Sequence, residues 1–255
     1  MITDSPHILP ALVSLTTLLA SPAAWGATEL REEFHQTYPL DKQGKVQLEN
    51  VNGNVHIVTW DREEIQVDAI KHAKKQADLD EMKIDVDARP GQVQVRTKYP
   101  ESRNRKNNSG GVDYTLTVPK KSRLDKVSTV NGGIEIEGVG GDVAASSVNG
   151  TVAASGLAGG VNLSTVNGSV KANFASLNKA ISLKSVNGGV SVALPPEANA
   201  DVSAHTLNGG INNAFSLPVK KHFPVGQNLD SKLGQGGPEI ELSTVNGGIH
   251  IDRHP

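Results

Sequence analysis

The 255-residue chain contains no cysteine. Disulfides, thiolate metal sites, a cysteine nucleophile and a lipid-modified N-terminal cysteine are therefore all excluded. Aromatic residues make up only 4%, too few for a bulky aromatic core, so the fold must pack on Val, Ile, Leu and Ala. Neither charge sign is in surplus: Lys plus Arg number 25 and Asp plus Glu 27, a net charge of −2. Nucleic-acid binders normally carry a basic excess, so no nucleic-acid partner is expected. The hydrophobic share of 37% omits glycine, and the 26 glycines bring it close to the ~45–50% of globular domains. A chain disordered throughout is thereby excluded.

One uncharged, largely apolar run stands at the N-terminus. Residues 8–27 read ILPALVSLTTLLASPAAWGA, and Leu9 to Ala20 carry no charge. Small residues follow, and Ala24-Trp25-Gly26 approximates a cleavage site. This is the pattern of a secretory signal peptide over residues 1–27, although the leading MITDSPH lacks Lys and Arg. The run is too short and too interrupted by Pro10 and Pro22 for a transmembrane helix. The competing reading is a buried apolar helix of the mature fold. On the signal-peptide reading the mature protein is exported, to the periplasm, the medium or the cell surface.

What the sequence has in abundance is one dipeptide. Asn-Gly occurs at Asn52-Gly53, Asn131-Gly132, Asn149-Gly150, Asn167-Gly168, Asn187-Gly188, Asn208-Gly209 and Asn246-Gly247. From Asn131 onward the steps are 18, 18, 20, 21 and 38 residues. The last step is close to two repeats, so residues 212–238 hold an insertion or an irregular coil. Phe215, Phe223 and Pro224 suggest that part of it packs on the rest. Aligned on the Asn, positions −4 and −1 are apolar, −2 is Ser or Thr from Asn131 onward, and +3 is Val or Ile. Apolar residues two apart lie on one face of a strand. The step from −4 to −1 breaks that alternation and predicts a bend. Gly after Asn permits a positive φ at the corner. Each repeat is then strand, Asn-Gly corner, strand and a second turn such as GVGG at 138–141.

Two architectures fit. In a meander each Asn-Gly closes a β-hairpin. In a parallel β-solenoid each repeat is one coil of 18–21 residues, and like residues stack on like. The near-constant length, the recurrence of the same chemistry and the small inward residues favour the solenoid. The stacked Asn residues are then a structural ladder, as in cross-β stacks, and the alternative is a ligand-binding row of amides.

Residues 44–58, GKVQLENVNGNVHIV, match the same template and form a first coil. Between it and the main run lie four alternating segments: 65–70, 83–88, 92–97 and 112–118. They read as half-buried antiparallel strands, with a helical turn at 77–82. A small antiparallel side sheet or cap laid on the first coil is expected. The division is then 1–27 signal peptide, 28–122 N-terminal β region and 123–255 repeats.

The segments 44–73, 113–119, 129–143 and 234–251, with the Asn-Gly spacing and the Trp60-Asp61 strand end, resemble the bacterial putative-adhesin family of β-strand repeat proteins, which includes LiaG-like cell-envelope proteins. The resemblance spans most of residues 30–252 and implies a β-solenoid-like domain outside the cytoplasm. It implies no catalytic residue and no ligand.

The candidate chemistry is sparse. The eight histidines form no close pair with metal-ligand spacing, and His56, between Val55 and Ile57, should point outward. No G-x-S-x-G elbow and no phosphate loop is present. The acids of the repeats, such as Glu135, Glu137, Glu239 and Glu241, alternate with apolar residues and read as a solvated strand face. Basic clusters remain at Arg103, Arg105 and Lys106, a candidate contact for an anionic polymer, and at Lys120, Lys121 and Arg123. No catalytic residue, cofactor or metal site is expected. The function expected is a non-enzymatic exported scaffold that binds an envelope protein or glycan through its strand faces. The alternative is a carbohydrate-active enzyme, recognisable by acids converging from neighbouring coils.

Overall fold

Each Asn-Gly repeat forms one two-stranded rung, and the rungs stack into two long sheets. A computed structural model describes residues 29–99, 110–221 and 224–254. The rungs of the main run are β8 (Arg123–Asn131) with β9 (Ile134–Glu137), β10 (Val143–Asn149) with β11 (Val152–Leu157), β12 (Val161–Asn167) with β13 (Val170–Phe174), and β14 (Ile181–Asn187) with β15 (Val190–Leu194). Then follow β16 (Ala200–Asn208) with β17 (Ile211–Asn213), and β20 (Glu239–Asn246) with β21 (Ile249–Arg253). Odd-numbered second strands join one sheet and even-numbered first strands the other, and like strands pair in parallel. The hairpin meander is excluded by this pairing. The described residues are all-β apart from one helix, α1 (Gln76–Glu81).

The inward positions are those the periodicity names. Position −4 (Val127, Ala145, Leu163, Leu183, Ala204, Leu242) and position +3 (Ile134, Val152, Val170, Val190, Ile211, Ile249) are buried. Position −1 differs from the expectation. Val51, Val130, Val148, Val166, Val186, Val245 and Leu207 are 37–42% exposed. The alternation is in fact preserved, because the residue turned inward is the Ser or Thr at −2. These hydroxyls are at most 5% exposed. Each donates to the carbonyl of the corner glycine in the adjacent rung: Ser147 to Gly132, Thr165 to Gly150, Ser185 to Gly168, Thr244 to Gly188 and Thr206 to Gly247, all at 2.8 Å. A buried hydroxyl is tolerated only when bonded. Thr165→Val keeps the shape but leaves the Gly150 carbonyl without this donor. It should destabilise by about 1–3 kcal/mol, read as a lower denaturation midpoint with an unchanged m-value.

The expected positive φ is found at the corner glycines Gly53 (124°), Gly168 (159°) and Gly188 (157°), the last two close to extended backbone, and the other four serve a different purpose. Gly132, Gly150, Gly209 and Gly247 have no positive φ. Their constraint is space: a Cβ on Gly150 would lie 1.9 Å from the carbonyl oxygen of Gly132, and one on Gly209 would lie 1.9 Å from that of Gly247.

The stack does not follow chain order at either end. At the C-terminal end the last repeat inserts between two earlier ones, with β20 paired to both β14 and β16 and β21 to both β15 and β17. The segment 212–238 is the excursion that makes this possible. It contains β18 (Lys220–Lys221) and β19 (Gln227–Leu233), and β19 runs antiparallel to β16 and covers that edge. Phe215 packs against the core, whereas Phe223 lies outside the described residues.

The N-terminal end repeats the device. The first repeat, β2 (Lys45–Glu49) with β3 (Val55–Trp60), sits between β8–β9 and a rung made of β6 (Gln92–Lys98) and β7 (Gly111–Pro119). So β6 and β7, expected as members of an antiparallel side sheet, are parallel to β2 and β3. Antiparallel pairing begins one strand further out, with β5 (Lys83–Arg89) on β6, β4 (Glu64–Ala73) on β7 and β1 (Leu30–Pro39) on β4. Antiparallel strands thus end both sheets at the N-terminal end and one sheet at the C-terminal end, where the other sheet finishes on the short parallel strand β17. Asn50 takes the −2 position in the first repeat and is 5% exposed. Its amide donates to the Val112 carbonyl at 2.8 Å, and its oxygen accepts from Thr97 and Tyr99. Tyr114 joins this network through Thr97, and burial pushes its phenol well above the ordinary range.

Candidate interaction faces

The Asn side chains form one continuous ladder. Each donates its amide to the next oxygen, Asn131 to Asn52, Asn149 to Asn131, Asn167 to Asn149, Asn246 to Asn187 and Asn208 to Asn246 at 2.8 Å, with Asn187 to Asn167 at 2.9 Å. Six of the seven Asn residues are exposed, and Asn52 at the end of the row is half-buried, with its amide donating to the Gly110 carbonyl at 3.2 Å. An amide offers two donor hydrogens and two acceptor lone pairs, and the ladder consumes one of each inside the row. The remainder faces outward at the strand spacing of about 4.8 Å, over a length of about 30 Å.

Beside this ladder runs the stripe of exposed Val and Leu at position −1. On its other flank lie Ser128, Ser146, Ser164 and Lys184 at position −3. Together the two rows border a shallow groove of about 460 Å³. A contiguous apolar stripe rimmed by polar rows is the usual mark of a contact surface. Sequence reasoning placed this stripe in the interior. The signal that could have turned it outward was the invariable Ser or Thr beside it, which cannot share an outward face with both its neighbours.

A second depression lies on the same sheet nearer the start of the strands. Asp125, Asp142, Glu239 and Glu241 line it together with Arg123. Acids from neighbouring rungs therefore do gather, as a carbohydrate-active enzyme requires. For two of them, Asp142 and Glu241, the electrostatics run against the role of a catalytic acid. Lys179 at 2.7 Å and the Gly160 amide hold the Asp142 carboxyl below its ordinary range. Lys184 and Ser182 do the same for Glu241. A glycosidase acid needs a raised pKa, and these carboxylates are kept as ions.

The opposite sheet carries a third group. Register places His56 of β3 directly beside Glu135 of β9, and Glu137 follows on the same face. The chemistry of this group is taken up below. It escaped sequence reasoning because 79 residues separate its members. Aligning the repeats on Asn52 and Asn131 reveals it, since His56 and Glu135 both stand four residues after the Asn. Of the basic clusters, Arg103, Arg105 and Lys106 lie outside the described residues. Lys120 is paired with Asp61 at 3.1 Å and Arg123 with Asp125 at 3.6 Å.

The repeat stack from β8 to β21 matches a family model, Toastrack DUF4097, over residues 126–252. Those residues form a Toastrack DUF4097 domain. The first repeat and the β6–β7 rung lie outside the matched span, yet they continue the Toastrack stack and share its hydrophobic core. A solved structure of a putative cell adhesion protein from Clostridium sporogenes is similar in fold, with a TM-score of 0.53 at 15% identity, covering 88% of this chain and 100% of that one. A putative adhesin from Bacteroides fragilis is similar at a TM-score of 0.38 and 14% identity, covering 88% and 97%. A putative lipid binding protein from Parabacteroides distasonis is similar at 0.34 and 10%, with the same coverage. Among curated protein sequences none matches. No helix among the described residues is long and apolar enough to cross a membrane.

Proposed function

We propose that this Toastrack chain is a non-enzymatic, exported β-solenoid scaffold of the cell envelope that binds a linear glycan along its Val–Asn ridge. The observation that carries the reading is the ridge itself: seven exposed apolar side chains in line, flanked by a row of amides with unused hydrogen-bonding capacity. A sugar ring offers an apolar face and a rim of hydroxyls, which match the stripe and the amides. A linear polymer lets successive units use successive rungs, so weak contacts add along one chain. A peptide would gain most by adding a strand to a sheet edge. Antiparallel strands already occupy three of the four positions beyond the outermost rungs, and the remaining edge strand, β17, is only three residues long, which favours the face over the edge. The apolar N-terminal run supports export.

The test has two parts. In fractionated cells the protein should be recovered outside the cytoplasm with residues 1–27 removed. The purified protein should co-sediment with isolated envelope glycan, in a manner insensitive to salt because the ridge is uncharged. An uncleaved cytoplasmic protein contradicts the export part. Failure to co-sediment, with a protein captured instead by crosslinking at the ridge, contradicts the glycan part.

A further inference from the structure

We propose that His56, Glu135 and Glu137 form a binding site for a divalent transition-metal ion such as Zn²⁺. One ligand atom from each of the three lies within 4.8 Å of the others. The His56 Nε2 and a Glu137 carboxylate oxygen are 3.9 Å apart, too far for a hydrogen bond. Zinc–ligand distances of 2.0–2.2 Å in a tetrahedron put ligand atoms about 3.3–3.6 Å apart. The two Glu side chains are exposed and free to make that small closure by rotation.

Three further observations point to an ion rather than to a solvated strand face. The Nε2 atom of His56 is itself covered, and no hydrogen-bond partner reaches it. A covered, unpartnered ring nitrogen directed at a carboxylate is costly unless something occupies the space between them. Both glutamates also lack a Lys or Arg partner among the described residues, although most acids of this protein that have a charged neighbour are paired with one, such as Glu49 with Lys126, Asp85 with Lys98 and Glu241 with Lys184. Finally, the strands on either side leave room. Ala153 and Ser155 stand opposite Glu135 and Glu137 on β11, and Thr115 stands opposite His56 on β7. The result is a shallow depression of about 520 Å³ that opens to solvent beside His56 and Glu135.

The donor set selects the ion. An imidazole nitrogen suits Zn²⁺ and its transition-metal neighbours, whereas Mg²⁺ and Ca²⁺ prefer oxygen alone. Three protein ligands on a flat face leave at least one position for water or for a donor from a bound partner. The site lies on the sheet opposite the ridge and does not depend on the glycan reading.

Isothermal titration of the full chain with ZnCl₂ at neutral pH tests the proposal. One high-affinity ion per chain is expected. His56→Ala and Glu137→Gln should each weaken it at least about tenfold, since removing even an outer-shell partner costs 10–100-fold. His250→Ala, on the same sheet face but five strands away from His56, should leave binding unchanged. Because these side chains are on the surface, the variants should melt with the wild type, and the His56 ring resonances should be the first to shift during titration. Equal Zn²⁺ affinity in the wild type and His56→Ala, or no binding up to millimolar Zn²⁺, overturns the assignment.

Discussion

Gly150→Ala should be among the most damaging single-methyl additions this protein can receive. The new Cβ would lie 1.9 Å from the Gly132 oxygen, 2.5 Å from its carbonyl carbon and 3.0 Å from the Gly133 nitrogen. All three are backbone atoms of the neighbouring rung, so no rotamer change relieves the contact. The rungs must part at the corner where Gly132 N–H donates to Asn149 and Asn149 donates to Asn131. Overpacking of this kind costs about 3 kcal/mol or more. For a domain of this size that corresponds to a fall in Tm of about 6–12 °C. Gly210→Ala is the control, because nothing lies within 4 Å of its Cβ and its φ is unstrained. There the lost chain entropy of the unfolded state should leave stability unchanged or raise it by about 0.4–1 kcal/mol. Equal melting of the two variants would contradict the close-approach account of the corner.

Removing residues 239–255 should have a still larger effect. In a stack built in chain order, deleting the last repeat takes away one terminal rung. Here it takes a rung from the interior. β14 and β16 would each lose the strand they pair with on that side, and β15 and β17 likewise. The Asn ladder would be cut between Asn187 and Asn208. Two parallel edges would then be open, a state that invites aggregation. The truncated chain should accumulate as insoluble protein or melt far below the intact one. The absence of native cysteine allows an independent check. Lys184 and Ser243 are register partners in the structure, so a Lys184→Cys, Ser243→Cys pair should oxidise readily. Chain-order stacking would instead bring Lys184 beside His205. Rapid crosslinking of the 184–205 pair, with none at 184–243, would contradict the inserted order.

Much of the architecture was legible because every rung repeats the same chemistry. The Asn-Gly spacing located the corners, and the apolar positions at −4 and +3 located the core. The same uniformity hid the order of stacking. A rung with Asn, Ser or Thr and Val at fixed places is equally compatible with any other such rung, so the sequence carries no local label for its neighbours. Position −1 was misread for a related reason. Val at −1 is as apolar as Val at −4, and only the buried hydroxyl between them shows which one faces inward. The β6–β7 rung was hidden because the sequence joining its two strands carries no Asn-Gly. The His56 group depended on knowing that the first repeat sits beside β9.

The account rests most heavily on the ridge. The direct test is equilibrium binding of purified envelope glycan to the wild type and to a Val148→Glu, Val166→Glu double variant. Both side chains are already about 40% exposed, so the variant should fold and melt close to the wild type. Charge placed on the apolar stripe should weaken binding at least about tenfold, or 1.4 kcal/mol. Undiminished glycan binding by a variant that melts normally would show that the ridge is not the binding face.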